Sequence, residues 1–199
     1  MAIALVFVGT LLALVFAWLI APEPGELARA LVRSALLAAV ALAATLTLGP
    51  GAWRASTPLA PAPRWLALAP LAGLLSFAVS VGYVRLVEHL AGTEPPPLAP
   101  DALPVLLLAW ALLPALAEEW LCRGVLWTAS LRALSPSATL LLTSALFAIL
   151  HGLNGADVLE YPHRFAAGLV FGFLRLRSAS LLPGMLAHAC HNALAILTE

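Results

Sequence analysis

Long apolar runs alternate along this chain with short segments rich in Pro, Gly and charge. The apolar runs are Ala2 to Ile20, Leu31 to Leu48, Trp65 to Val84, Ala102 to Leu121 and beyond, Ser137 to His151, Phe165 to Leu176 and Leu181 to Leu197. A helix crossing a bilayer needs about 20 apolar residues, and most of these runs approach or exceed that. The pattern predicts an all-α, polytopic transmembrane bundle of about seven helices, with six to eight allowed because the run at Phe165 is short and flanked by Arg164, Arg175 and Arg177. Turn signals separate the runs: "APEPGE" at Ala21, a Pro-rich stretch ending at Arg64, "AGTEPPPLAPD" ending at Asp101, "LSPS" at Leu134, "LNGADVLEYPHR" ending at Arg164, and "RSAS" at Arg177.

Composition strengthens the membrane reading. Of 199 residues 62% are hydrophobic and only 10% charged, with a mean hydropathy of +0.99, outside the range of soluble domains. Residues 1–20 lack a preceding basic residue and form a long run, so they read as a retained first helix rather than a cleaved signal. All ten basic residues are Arg, the formal net charge is zero, and no basic run suggests nucleic acid. Partners are therefore expected in or at the lipid bilayer. Cys122 and Cys190 fall inside predicted helices and read as small buried residues rather than a disulfide.

Arg54 and Arg64 mark the second loop as cytoplasmic, as Arg132 marks the fourth and Arg175 and Arg177 the sixth. The acidic residues Glu88, Glu94, Asp101, Asp157 and Glu160 fall on the other side, which places the N-terminus inside and the C-terminus outside. This topology puts Arg29 and Arg33 in an external first loop, against the rule. The chain divides into residues 1–101, helices without motifs, and residues 102–199, where the chemistry gathers. His89 and His163 sit in loop sequence and are expected to be solvated.

Ionisable groups inside a membrane cost at least a few kcal/mol each, so they mark function by default. The predicted helices carry Glu118, Glu119, Arg123, His151, His188 and His191, with Asn192 as a neutral companion. Glu118 lies 14 residues before Arg132 and His151 14 residues after Ser137, so both sit roughly 21 Å from the same turn. His188 and Asn192 enter from the same side, at roughly 14 and 20 Å. Three helices thus carry polar groups to similar depth. Glu119 and Arg123 are an i,i+4 pair that can neutralise each other, whereas Glu118 points about 100° away and has no partner on its own helix. His188 and Asn192 share a face; His191 flanks it, and either histidine could point inward.

A carboxylate and an imidazole from two helices can activate one water, and a His and Asn on a third supply two donors for an oxyanion. That reads as an amide hydrolase. The same groups allow a zinc site of Glu118, His151 and His188 with an open position for water, although the helical HExxH pair is absent; metal-independent chemistry is favoured. Ser144 carries no nucleophile motif, and Cys122 fits less well as a nucleophile. The reading from another class is a scaffold or proton-conducting membrane protein in which Glu118 could be replaced by Gln.

The motifs "EEWLCR" (Glu118 to Arg123), "FAILH" (Phe147 to His151) and "HACHN" (His188 to Asn192) occur in the order found in the CAAX prenyl protease and bacteriocin-processing family, also called CPBP or Abi intramembrane proteases. The run from Phe165 to Leu194 also resembles that family's segment around its last motif. The resemblance covers about residues 103 to 196. It implies a glutamate-dependent peptidase in which Glu118 and His151 activate water, His188 and Asn192 form the oxyanion hole, and Glu119 and Arg123 support them. It implies as substrate a membrane-associated protein or peptide, through CAAX-type processing, bacteriocin-type immunity, peptide maturation or removal of a C-terminal sorting tag. Richness in Ala, Leu, Arg and Pro without Lys suggests a bacterial cell-membrane protein, for which the roles other than prenyl-protein processing are expected.

Overall fold

The computed structural model describes residues 9, 26–48, 51, 54–55, 57–92, 103–152 and 158–198. Among them there is no strand, and six long helices account for the fold. In chain order they are α1 (Glu26–Thr47), α2 (Pro63–Ala91), α3 (Leu103–Ser130), α4 (Pro136–Gly152), α5 (Tyr161–Ser178) and α6 (Leu182–Thr198). Each corresponds to one apolar run; the first expected run, Ala2 to Ile20, falls outside the described residues except Gly9. By length and composition α1, α2 and α3 can each cross a membrane, and the protein is an integral membrane protein of helical architecture.

Two features differ from the sequence expectation. Arg29 and Arg33 belong to α1, which starts at Glu26 rather than at the apolar run. Its buried positions Ala30, Ser34, Leu37, Ala41 and Ala44 recur every three or four residues, so the helical stripe begins among the arginines. His163 likewise lies in the first turn of α5 rather than in a loop, and it is buried beside Tyr83. Pro162 caused the misreading, since Pro at the start of a helix resembles loop sequence but leaves no needed N–H unsatisfied. His89, in the last turn of α2, is exposed as expected.

Helix α3 is wound more loosely than the others. Two stretches, Leu107–Leu112 and Trp120–Leu126, form π turns with i→i+5 bonding. The first ends just before Pro114, which has no N–H to give to the regular ladder. The second follows Glu119 and contains Arg123. A wider turn brings positions four apart closer to one face than an α turn does, which keeps Arg123 in line with Glu119.

Close approach elsewhere depends on small residues. Gly168 and Gly172, spaced as in small-xxx-small pairs, let α5 lie on α4: a Cβ on Gly168 would stand 3.1 Å from the Cβ of Ser144, and one on Gly172 would collide with Leu140. Gly73 does the same for α2 against α6, where a Cβ would meet the carbonyl oxygen of Ala187. Helix α6 is thereby wedged among α2, α3 and α5.

The loops that the charge pattern assigned to one side do meet at one end. Arg54, Arg132 and Arg175 line a common cavity of about 540 Å³ there. Arg132 donates to the carbonyl of Leu48 (3.1 Å), Thr128 to that of Ala55 (3.2 Å) and the Leu181 N–H to that of Pro58 (2.8 Å). These bonds tie the connections together and fix the entry point of α6.

Candidate active site

Glu118 and Glu119 are adjacent on α3 and both buried, but they face different neighbours. Glu119 Oε1 accepts from Arg123 Nη1 at 2.8 Å, with side chains 1% and 0% exposed. Arg123 also donates through Nη2 to the carbonyl of Gly168 (2.7 Å), and its guanidinium lies 4.6 Å from the centre of the Phe147 ring. Its own carbonyl accepts from Arg175 Nε at 3.1 Å. The buried charges of Glu119 and Arg123 are thus paired and hydrogen-bonded, the condition under which a low-dielectric interior tolerates them.

Glu118 finds its cation on another helix. Arg33 Nη2 of α1 donates to Glu118 Oε1 at 2.8 Å. Oε2 is buried and turned the other way, 3.5 Å from His151 Nε2 and 3.9 Å from His188 Nε2. The three levels inferred from helix rise therefore converge on one carboxylate oxygen.

The histidines are oriented by their other nitrogens. His151 Nδ1 lies 2.8 Å from the carbonyl of Phe147. A carbonyl can only accept, so Nδ1 carries the proton and the neutral ring presents an acceptor, Nε2, toward Glu118. His188 Nδ1 lies 3.3 Å from Glu119 Oε1, and the ring stacks on Phe171 with centroids 4.7 Å apart and planes at 15°. That contact puts a proton on Nδ1, so His188 offers a donor at Nε2 as an imidazolium and an acceptor as a neutral ring. Gly184 leaves room for Glu119 Oε2, which a Cβ would approach to 3.1 Å.

His191 points elsewhere. Its Nδ1 lies 2.9 Å from Ser76 Oγ of α2, and its ring meets Phe77 edge-on. Asn192 is half-buried on the His188 face and makes no side-chain hydrogen bond among the described residues. Cys122 is buried and Ser144 donates to the carbonyl of Leu140 (2.8 Å), so the serine hydroxyl is committed to its own helix. Sequence reasoning missed Arg33, Phe171 and Gly184. For Arg33 a signal existed: Arg29 and Arg33 are four apart, a helical rather than a loop spacing.

In residue type, Glu118, His151 and His188 suit zinc, and an Nδ1 held by an acceptor is the usual support of a metal-binding imidazole. In arrangement they fit poorly. Glu118 Oε1 is committed to a guanidinium whose charge opposes a divalent cation, and among the described residues no three His, Cys, Asp or Glu side chains form a group able to hold a metal ion.

Comparison with protein families gives one match, to the family described as type II CAAX prenyl endopeptidase Rce1-like, over residues 100–194. No curated protein and no solved structure matches. The matched span begins at the entry to α3 and ends within α6, enclosing both glutamates, Arg123, His151, His188 and Asn192. Through this half of the chain, the protein belongs to the Rce1-like family of CAAX-type intramembrane endopeptidases within the CPBP proteases.

Proposed function

We propose that this protein is a glutamate-dependent intramembrane endopeptidase, with Glu118 as general base. The observation that carries the reading is the 3.5 Å separation of Glu118 Oε2 and His151 Nε2. Two acceptors so close repel unless a donor lies between them, and a water can give one O–H to each at roughly 2.8 Å. Glu118 takes the water proton as the oxygen attacks the peptide carbonyl, and His151 holds the nucleophile in line. The tetrahedral oxyanion is met by Asn192 and by His188, which donates from Nε2 as an imidazolium balanced by Glu119. Collapse breaks the C–N bond, and the proton held by Glu118 passes to the departing nitrogen. Glu119 and Arg123 keep His188 and the helix face in place.

The substrate in this reading is a membrane-associated protein or peptide cut near the bilayer, and the enzyme is a multi-pass protein of a bacterial cell membrane. Peptide maturation, bacteriocin-type immunity and removal of a C-terminal sorting tag are roles of the same chemistry as CAAX processing. Residues 102–199 form the catalytic core in this reading, and no step requires a metal.

The test is cleavage of a library of membrane-anchored peptides by the purified protein in detergent, with and without exhaustive chelation. Activity should survive chelation, and folded Glu118→Gln should lose about 10³-fold in kcat, the scale of a positioned base. Loss on chelation with recovery in zinc would replace this mechanism with a metalloprotease. Full activity in Glu118→Gln would remove the general base.

A further inference from the structure

Two adjacent carboxylates on one helix each have a guanidinium 2.8 Å away, but the sources differ. Arg123 comes from the same helix as Glu119, while Arg33 comes from α1, outside the family-matched residues 100–194. The pair with Arg33 is made at one oxygen only. Oε1 is engaged, and Oε2 remains directed at the two imidazoles.

A carboxylate on a helix can rotate about its last torsion, which is broad and roughly two-fold. Without a partner at Oε1, nothing on α3 selects the rotation that presents one oxygen to His151, since the residue one turn on is the buried Cys122. Arg33 makes that selection from a rigid base. Its neighbour Ser34 and the stripe Ala30, Leu37, Ala41 and Ala44 are buried, and α1 packs along α3. Arg33 is also partly open, its side chain 25% exposed against 5% for Glu118. The bridge therefore lies at the edge of the site, with Glu118 inward of it.

We infer that Arg33 is a positioning residue for the general base: it fixes Glu118 Oε1 so that Oε2 faces the water held with His151. The inference rests on the reading of Glu118 as base, and it extends the functional site from the matched half of the chain onto α1.

The test combines a stability cycle with kinetics on the full-length protein in detergent. Thermal unfolding of wild type, Arg33→Gln, Glu118→Gln and the double variant reports the pair without reference to activity. Arg33→Gln should lower Tm in the wild-type background and change it little in the Glu118→Gln background. In peptide cleavage, Arg33→Gln should lose about 10²-fold in kcat, the scale of a misplaced catalytic group, with KM within about threefold. Arg33→Lys, which keeps the charge but not the planar fork, should fall between them.

A folded Arg33→Gln with wild-type kcat overturns the inference, as does additive behaviour in the stability cycle. If Arg33→Lys is as slow as Arg33→Gln, side-chain packing rather than the charge is responsible, and the inference again fails. If Arg33→Gln does not fold, the same split is read in Arg33→Lys, where a wild-type kcat overturns the inference. An active Glu118→Gln defeats the underlying base assignment; an inactive Glu118→Gln beside a fully active Arg33→Gln defeats only the role of Arg33.

Discussion

Helices α2 and α3 are nearly equal in length, 29 and 28 residues, and both are apolar enough to cross a membrane, yet they bury opposite kinds of surface. The buried face of α2 consists of Ala69, Gly73, Ser76 and Ser80, while Leu68, Leu71, Leu74, Leu75 and Val79 are exposed. Helix α3 buries Glu118, Glu119, Cys122 and Arg123. In lipid there is no gain from hiding leucine, so the inner face of a helix goes to residues that allow close approach or that need a partner. On α2 the inner face serves packing alone; on α3 it carries ionised groups that depend on other helices. Burial in this protein is therefore read from small and polar positions, the reverse of a soluble core.

The contrast can be broken most severely at Arg123. Arg123→Met strands the Glu119 carboxylate in a site where both side chains are almost wholly excluded from solvent. Removing one partner of such a pair costs about 3–5 kcal/mol. Thermal unfolding in detergent should show a large fall in Tm, and cleavage should be lost with it. An unchanged Tm would mean that α3 tolerates its charges without pairing.

A smaller effect is expected where α2 meets α6. In Gly73→Ala the new methyl group collides with the carbonyl oxygen of Ala187 and stands 2.9 Å from Cys190 Cβ. Overpacking of this kind costs about 1–3 kcal/mol. Unfolding measurements should record that loss, and a neutral result would show the two helices free to separate.

The smallest effect sharpens the comparison. Ser76→Ala removes the hydroxyl that meets His191 Nδ1 at 2.9 Å. Polar contacts between membrane helices average about 0.6 kcal/mol. Stability should drop by about that amount while kcat stays at the wild-type value; a substantial loss of kcat would bring His191 into the chemistry.

Local spacing made much of the site legible in the sequence. The Glu119–Arg123 pair follows from i,i+4 spacing, and the convergence of Glu118, His151 and His188 follows from counting residues between turns. What required three dimensions was the choice of partner across helices. His188 and His191 are three residues apart and equally plausible from sequence; Ser76 and Phe77 of α2 claim one, Glu119 and Phe171 the other. Arg33 was misplaced because hydropathy marks where a run becomes apolar, not where the helix begins. The beginning of α1 is polar because it reaches the site that its arginine serves.

The wide turn at Trp120–Leu126 has a consequence for how this gene can change. A π turn holds one residue more than the α turn it replaces. Deleting a single codon there would leave a regular helix, perhaps a better-bonded one by itself, but rotate everything before it by about 100° relative to everything after. Glu118 and Glu119 would then swing away from the groups that Arg123, Trp127 and Ser130 pack against. Substitutions along α3 can be weighed one side chain at a time, whereas a change in its length alters the phase of the whole site.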